Sequence, residues 1–184
     1  SKNTIAAIHI VRDPRNVVTS LSNHYQINKK EAFDFMKNEK KALIEKKNDK
    51  FLGFVPLFSW KFHQESWSEC KKFPVLTIRY EDLQADTFKT FKSILKFLRD
   101  KTNSNVDINS DKINQVIKSC EFEKLQKLEK DGGFREALVS KKTNKKIKFF
   151  NLGKENDFRI LLDQKMINDM TEFYKDQIKK YKYE

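Results

Sequence analysis

The sequence predicts an α/β fold, helix-rich and layered about a parallel sheet, on three observations. Ile5–Val11 is a short, mostly apolar and β-branched run of the kind buried on both faces of a parallel sheet. Asp13-Pro14 follows it, an N-cap residue and a proline at the first helical position, so the chain turns from strand into helix. Val75–Tyr80 is a second such run, with helical periodicity before and after it. At 184 residues, with sixteen phenylalanines in an aromatic content of 12%, the chain is long enough for a real core, and residues 1–184 are read as one domain.

The elements follow in order. The first helix reaches Tyr25. Asn28–Lys47 is charged and periodic, with Phe33, Met36, Lys40, Leu43 and Ile44 spaced for one face, and reads as a surface helix. Phe51–Leu57, with Gly53 and Pro56, interrupts it, and Phe58–Lys72 resumes helical spacing through Trp60, His63 and Trp67 until Pro74. A lone histidine among aromatics reads as structural. Asp82 or Asp86 begins the next helix, whose Phe88, Phe91, Ile94, Leu95 and Leu98 form an apolar stripe. Lys101–Asn109 is a polar connector, and Ser110–Lys118 and Glu121–Lys130 are short helices, the second closed by Gly132–Gly133. The lysine-rich loop Ser140–Lys148 leads into Phe149–Gly153, and Asp163–Tyr181 reads as one amphipathic helix. Two strands are too few for a sheet covered on both faces, so either weak strands remain in the chain or it is part of a larger domain.

The formal charge is +12, from 38 Lys and Arg against 26 Asp and Glu. That surplus suits an anionic partner such as a nucleotide, a sulfated or phosphorylated substrate or nucleic acid, although lysines at helical spacing are first of all a solvated face. Cys70 and Cys120 have no metal-type spacing, the histidines at 9, 24 and 63 are scattered, and no metal is expected. No run of eighteen apolar residues appears, so no membrane segment is expected and the chain reads as cytoplasmic, unless an anchor or signal precedes Ser1.

The richest stretch is Arg12-Asp-Pro-Arg-Asn-Val-Val-Thr-Ser20. Arg12 leaves the carboxyl end of a strand, the edge where open α/β sheets bind ligands, and Ser20 lies within two turns of the following helix, so one anion could take both a guanidinium and a hydroxyl. The competing reading pairs Arg12 with a neighbouring carboxylate and leaves Ser20 facing solvent.

Four segments in order then resemble the sulfotransferases that use 3′-phosphoadenosine 5′-phosphosulfate (PAPS). Arg12 to Ser20 is similar to that family's 3′-phosphate-binding strand, turn and helix. Trp60-Lys-Phe-His63-Gln-Glu-Ser-Trp67 resembles its helix before the next core strand, and Val75-Leu-Thr-Ile-Arg-Tyr80-Glu-Asp-Leu83 its strand ending in Tyr-Glu-Asp, whose tyrosine sits beside the nucleotide. Phe149-Phe-Asn-Leu-Gly153-Lys154-Glu-Asn-Asp157-Phe158-Arg159 resembles the C-terminal loop usually written Arg-Lys-Gly-x-x-Gly-Asp-Trp-Lys. Ser119-Cys120-Glu-Phe122 looks like the segment whose phenylalanine lines the adenine pocket.

The resemblance implies a three-layer parallel-sheet fold of the P-loop type and sulfuryl transfer from PAPS to an acceptor hydroxyl or amine, with adenosine 3′,5′-bisphosphate as product. It implies nucleotide-binding roles for Arg12, Ser20, Tyr80, Phe122, Gly153 and Lys154. The departures are equally specific. Asn151 stands where the family has an arginine on the 3′-phosphate, Leu152 replaces a lysine, Asn156 a glycine and Phe158 a tryptophan. The family's upstream Lys-Ser-Gly-Thr-Thr-Trp loop and catalytic histidine have no counterpart here, so the chain is expected to match the C-terminal portion, with no catalytic residue of its own. Asn28–Lys47 and Lys50–Phe58, with Phe51, Phe54 and Phe58, are expected to border the acceptor, whose identity the residues do not give. The alternative is a non-catalytic basic module for nucleic acid or another polyanion, but no regular basic stripe interleaved with aromatics supports it, and no specific nucleic acid is expected. A phosphate-transferring P-loop enzyme is disfavoured by the missing Walker sequence.

Overall fold

A computed structural model describes residues 3–47, 50–132, 134, 139–140 and 143–183, and the side chains of all of these except 45–47 and 50–52. The chain forms two compact units, one of residues 1–12 and 70–156, the other of 13–69 and 157–184.

In the first unit β1 (Ala7–Val11) pairs in parallel with β4 (Val75–Arg79), in a register that sets Val11 beside Arg79. The α/β class with a parallel sheet is the one the sequence predicts. β1 differs from expectation in being covered on one side only: His9 and Val11 are buried, whereas Ile8 is 36% and Ile10 51% exposed. The apolar run satisfies alternation as readily as two-sided burial, because β-branched residues suit both. After β4 come α4 (Tyr80–Ala85), α5 (Thr87–Thr102), α6 (Ser110–Ser119) and α7 (Phe122–Lys130). Asp86, not Asp82, starts the long helix α5, its carboxylate accepting the Lys89 N–H at 2.9 Å. Gly133 and Lys141–Lys142, which the sequence places in a helix stop and a lysine loop, lie outside the described residues.

The second unit holds the principal core. α1 (Pro14–Tyr25) starts as the sequence predicts, with Asp13 capping the Arg15 N–H at 2.9 Å and proline at its first position. α2 covers only Lys29–Lys37, opened by a capping box in which Asn28 and Glu31 bond each other's backbone. The helix expected to run to Lys47 therefore stops ten residues early. Ala42–Lys47 forms β2, paired antiparallel with β3 (Lys50–Pro56), and a bulge lies between Glu45 and Lys46. Leu43 and Ile44 are adjacent apolar residues that fit either period, and cross-strand pairing with Val55 and Phe54 decides for the hairpin. Ser59 caps α3 (Trp60–Ser68), shorter at both ends than Phe58–Lys72. The expected single helix Asp163–Tyr181 is two, α9 (Gln164–Phe173) and α10 (Lys175–Tyr181), separated by Tyr174, which leaves helical geometry at φ −105°. With the short α8 (Phe158–Leu161), these helices bury Val18, Ala32, Phe33, Met36, Phe158, Leu162, Met170 and Tyr174 in one cluster. The ring of Tyr174 meets Trp60 edge-on at 5.0 Å and Phe173 at 4.9 Å, so the break in the helix is where the largest fully buried side chain fits.

Candidate active site

The parallel register brings two of the candidate residues together. Val11 and Arg79 are partners at the carboxyl ends of β1 and β4, so the next residues, Arg12 and Tyr80, leave the sheet side by side. The Arg12 guanidinium carbon lies 4.3 Å from the centre of the Tyr80 ring. Stacking holds a guanidinium flat without using its in-plane donors. The Nε of Arg12 is buried without a hydrogen-bond partner among the described residues.

The carboxylate nearest in sequence is taken by another arginine. In the second unit Asp13 receives Arg15 through Nε at 3.0 Å and Nη2 at 2.7 Å, and both side chains are buried. Arg15 also donates to Thr171 Oγ1 at 3.3 Å and to the Tyr183 carbonyl at 3.1 Å, and lies 4.1 Å over the Phe158 ring. The reading in which Arg12 is consumed by a neighbouring carboxylate is therefore not the arrangement found. Ser20 lies exposed on α1 in the second unit, its hydroxyl 3.4 Å from the Asn16 carbonyl.

A second group forms around α7 in the first unit. Gly153 opens a 3-10 turn, Gly153–Glu155, at φ +54°, and a Cβ there would meet the Phe122 ring at 2.7 Å. Glycine thus serves twice, for a left-handed backbone and for room to pack an aromatic edge. Phe122, Asn151 and Lys154 line a cleft of about 640 Å³ together with Leu83, Thr87 and Phe91. A separate, apolar recess of about 360 Å³ between α5 and α6 holds none of the candidate residues. Lys154 is exposed. Among the described residues no three His, Cys, Asp or Glu side chains are placed to hold a metal ion, and no helix is long and apolar enough to cross a membrane.

His9 is buried within β1, and His63 accepts the Trp67 indole N–H at 3.2 Å on one helix. Sequence reasoning passed over Arg15, Gln126 and Glu129. Nothing in the sequence marks Arg15 out from the other cations, and Gln126 and Glu129 sit on a short helix read only for its bounds. The spacing of Gln126 and Glu129 from Phe122, four and seven residues on, was the available signal.

A family model described as the sulfotransferase domain matches residues 2–182. The chain belongs to the sulfotransferase family. Luciferin sulfotransferase of Photinus pyralis is 29% identical over 119 residues, covering 65% of this chain and 29% of that protein. A crystal structure of mouse sulfotransferase SULT7A1 complexed with PAP superimposes with a TM-score of 0.57 at 20% identity, over 93% of this chain and 57% of the mouse chain. The chain thus spans well under two thirds of the length of both relatives. That likeness agrees with the α/β class and with the parallel β1–β4 pair.

Proposed function

We propose that the protein transfers a sulfuryl group from PAPS to an acceptor hydroxyl or amine, and that residues 1–184, as one domain, supply the nucleotide end of the site. The observation that carries this reading is Arg12 stacked on Tyr80 at the carboxyl edge of two parallel strands, its guanidinium free of carboxylates among the described residues. Family membership and the PAP held by the mouse relative support it. In this reading Arg12 and Ser20 bond the 3′-phosphate, Tyr80 and Phe122 flank the nucleoside, and Gly153 and Lys154 close over it.

A stacked guanidinium, an aromatic wall and a glycine-opened turn fit a phosphorylated nucleoside. Asn151 in place of an arginine removes one charge-assisted contact, typically ~1.5–3 kcal/mol, and Lys154 is the nearby cation able to offset part of it. The donor supplies an activated sulfuryl group whose transfer leaves adenosine 3′,5′-bisphosphate. Cations fixed on the departing nucleotide stabilise the charge that grows there. The loop for the phosphosulfate and the base that takes the acceptor proton are assigned to residues outside this chain, so the chain alone is expected to bind weakly and turn over little.

Thermal melting with adenosine 3′,5′-bisphosphate and with adenosine 5′-monophosphate tests the reading. A ligand at a hundred times its Kd adds ~2.7 kcal/mol, so the bisphosphate raises the Tm clearly more than the monophosphate, and Arg12→Ala removes the difference. Equal shifts for both nucleotides in the unaltered chain would overturn it. Salt-sensitive binding to nucleic acid that survives Arg12→Ala would favour the polyanion-binding alternative instead.

A further inference from the structure

One face of α7 grips the loop that carries Asn151, Gly153 and Lys154. Residues 122, 126 and 129 stand at i, i+4 and i+7, a single stripe along the helix, and each meets a different part of the loop. The Glu129 carboxylate accepts the Phe149 N–H at 2.6 Å on one oxygen and the Phe150 N–H at 3.0 Å on the other. The Gln126 amide nitrogen donates to the Phe150 carbonyl at 2.9 Å and to the Asn151 carbonyl at 3.3 Å. Phe122 lays its ring on Gly153. The helix therefore supplies an acceptor pair for backbone donors, a donor for backbone acceptors, and an apolar surface for the glycine, in the order in which the loop passes.

The chemistry at each position is specific. A carboxylate offers only acceptors and so serves two N–H groups at once, whereas the amide of Gln126 can reach carbonyls with its NH₂. Both oxygens of Glu129 are engaged by the loop, so its charge is met by two aligned donors. Residues 149–152 form no helix or strand, and these side chains satisfy backbone groups that a regular element would otherwise pair.

We infer that Gln126 and Glu129 are positioning residues that hold loop 149–154 in place to receive a 3′-phosphate, and that they thereby set the preference for 3′-phosphorylated nucleotides. This rests on the nucleotide reading above. Both residues spend the groups named above on the loop backbone, and Gln126 also borders the cleft lined by Phe122, Asn151 and Lys154. Their effect passes through the placement of Asn151, Gly153 and Lys154, and a preorganised loop binds better because it is already ordered.

The test measures the affinity of the full chain for adenosine 3′,5′-bisphosphate and for adenosine 5′-monophosphate by titration calorimetry, with amide hydrogen exchange on the loop. Glu129→Ala is expected to weaken the bisphosphate by about tenfold or more, leave the monophosphate within about twofold, and speed exchange at Phe149 and Phe150. Glu129→Gln, which keeps one acceptor oxygen, recovers part of the selectivity. A purely structural role would lower both affinities together. If the unaltered chain binds the two nucleotides equally, the nucleotide reading has failed and this inference falls with it. If the unaltered chain discriminates and a folded Glu129→Ala chain discriminates as well, the positioning role alone is overturned. Should Glu129→Ala fail to fold, Gln126→Leu is read against the same outcomes.

Discussion

Arg12 and Arg15 are separated by two residues, yet they end in different compact units and are held in opposite ways. In the second unit Arg15 is buried and engaged by Asp13, Thr171, the Tyr183 carbonyl and the Phe158 ring. Around it lies a filled core in which Val18, Ala32, Met170 and Tyr174 are fully buried. In the first unit Arg12 is only partly buried, stacked on Tyr80, and its Nε bonds nothing among the described residues. The described residues of that unit bury fewer large apolar side chains, among them Val11, Ile78, Ile94 and Ile113. A cation matched by buried partners holds a structure together, whereas one aligned by an aromatic face keeps donors for a ligand. The same residue type is thus spent on internal contacts in one unit, while in the other it is the residue proposed above for recognition.

The strongest way to break that contrast is to remove the partner of Arg15. Asp13→Ala leaves a buried guanidinium without its carboxylate and removes the cap of α1, so it is expected to cost about 3–5 kcal/mol in urea unfolding. Arg12→Ala should cost about 0.5–1 kcal/mol, the scale of one partly exposed cation–aromatic contact. If the two variants unfold at similar urea concentrations, the division of labour between the arginines is wrong.

Gly153→Ala comes next in size and addresses the first unit. A left-handed backbone costs a non-glycine residue about 1–2 kcal/mol, and the new methyl must also displace the Phe122 ring. The expected result is a loss of stability of that order, with a larger loss of adenosine 3′,5′-bisphosphate affinity than the stability change explains. A variant that binds as the unaltered chain does would separate Gly153 from the site.

Tyr174→Phe sharpens the picture of the second unit by a smaller amount. The Tyr174 hydroxyl is buried with no hydrogen-bond partner among the described residues, and burial pushes its pKa up. Removing an oxygen that bonds nothing is expected to leave stability unchanged or raise it by about 1 kcal/mol. Destabilisation in calorimetric melting would show that the hydroxyl does have a partner.

The parts of the molecule legible in the sequence were those set by local rules. Asp13-Pro14 and Asp86 mark their helix starts because capping chemistry acts within three residues. Arg12 was nameable because strand ends are local and Tyr80 through the resemblance of its strand, but their contact follows from the β1–β4 register, which no short window contains. The β2–β3 hairpin was hidden because Leu43 and Ile44 fit both periods, and the break at Tyr174 because core packing around that ring overrides an otherwise continuous helical pattern. Glu129 and Gln126 escaped for the same reason, since what distinguishes them from any polar helix residue is a loop twenty or more residues away. Ser20 was nameable from its place within two turns of the helix that follows Arg12, whereas its exposure on α1 is set by packing that no short window contains.

The smallest expected effect concerns whether the polar side chains of the second unit are partnered even where they are half exposed. Trp67 has only a donor, so the His63 Nε2 that meets its indole must be the unprotonated nitrogen of a neutral ring. Burial also holds the His63 pKa below its usual 6.5. The unfolded chain then takes up a proton at a higher pH than the folded one, so the folded state gains stability as pH rises across that interval. The contribution is complete above about pH 6.5 and is lost as pH falls through the lower, folded value. An i,i+4 side-chain bond of this kind is worth about 0.2–0.5 kcal/mol. His63→Gln keeps an acceptor for Trp67 but cannot titrate, so it should flatten the change in urea midpoint between about pH 5.5 and pH 7.5 while leaving the upper value nearly unchanged. If the variant retains the full pH dependence, His63 is not the group responsible.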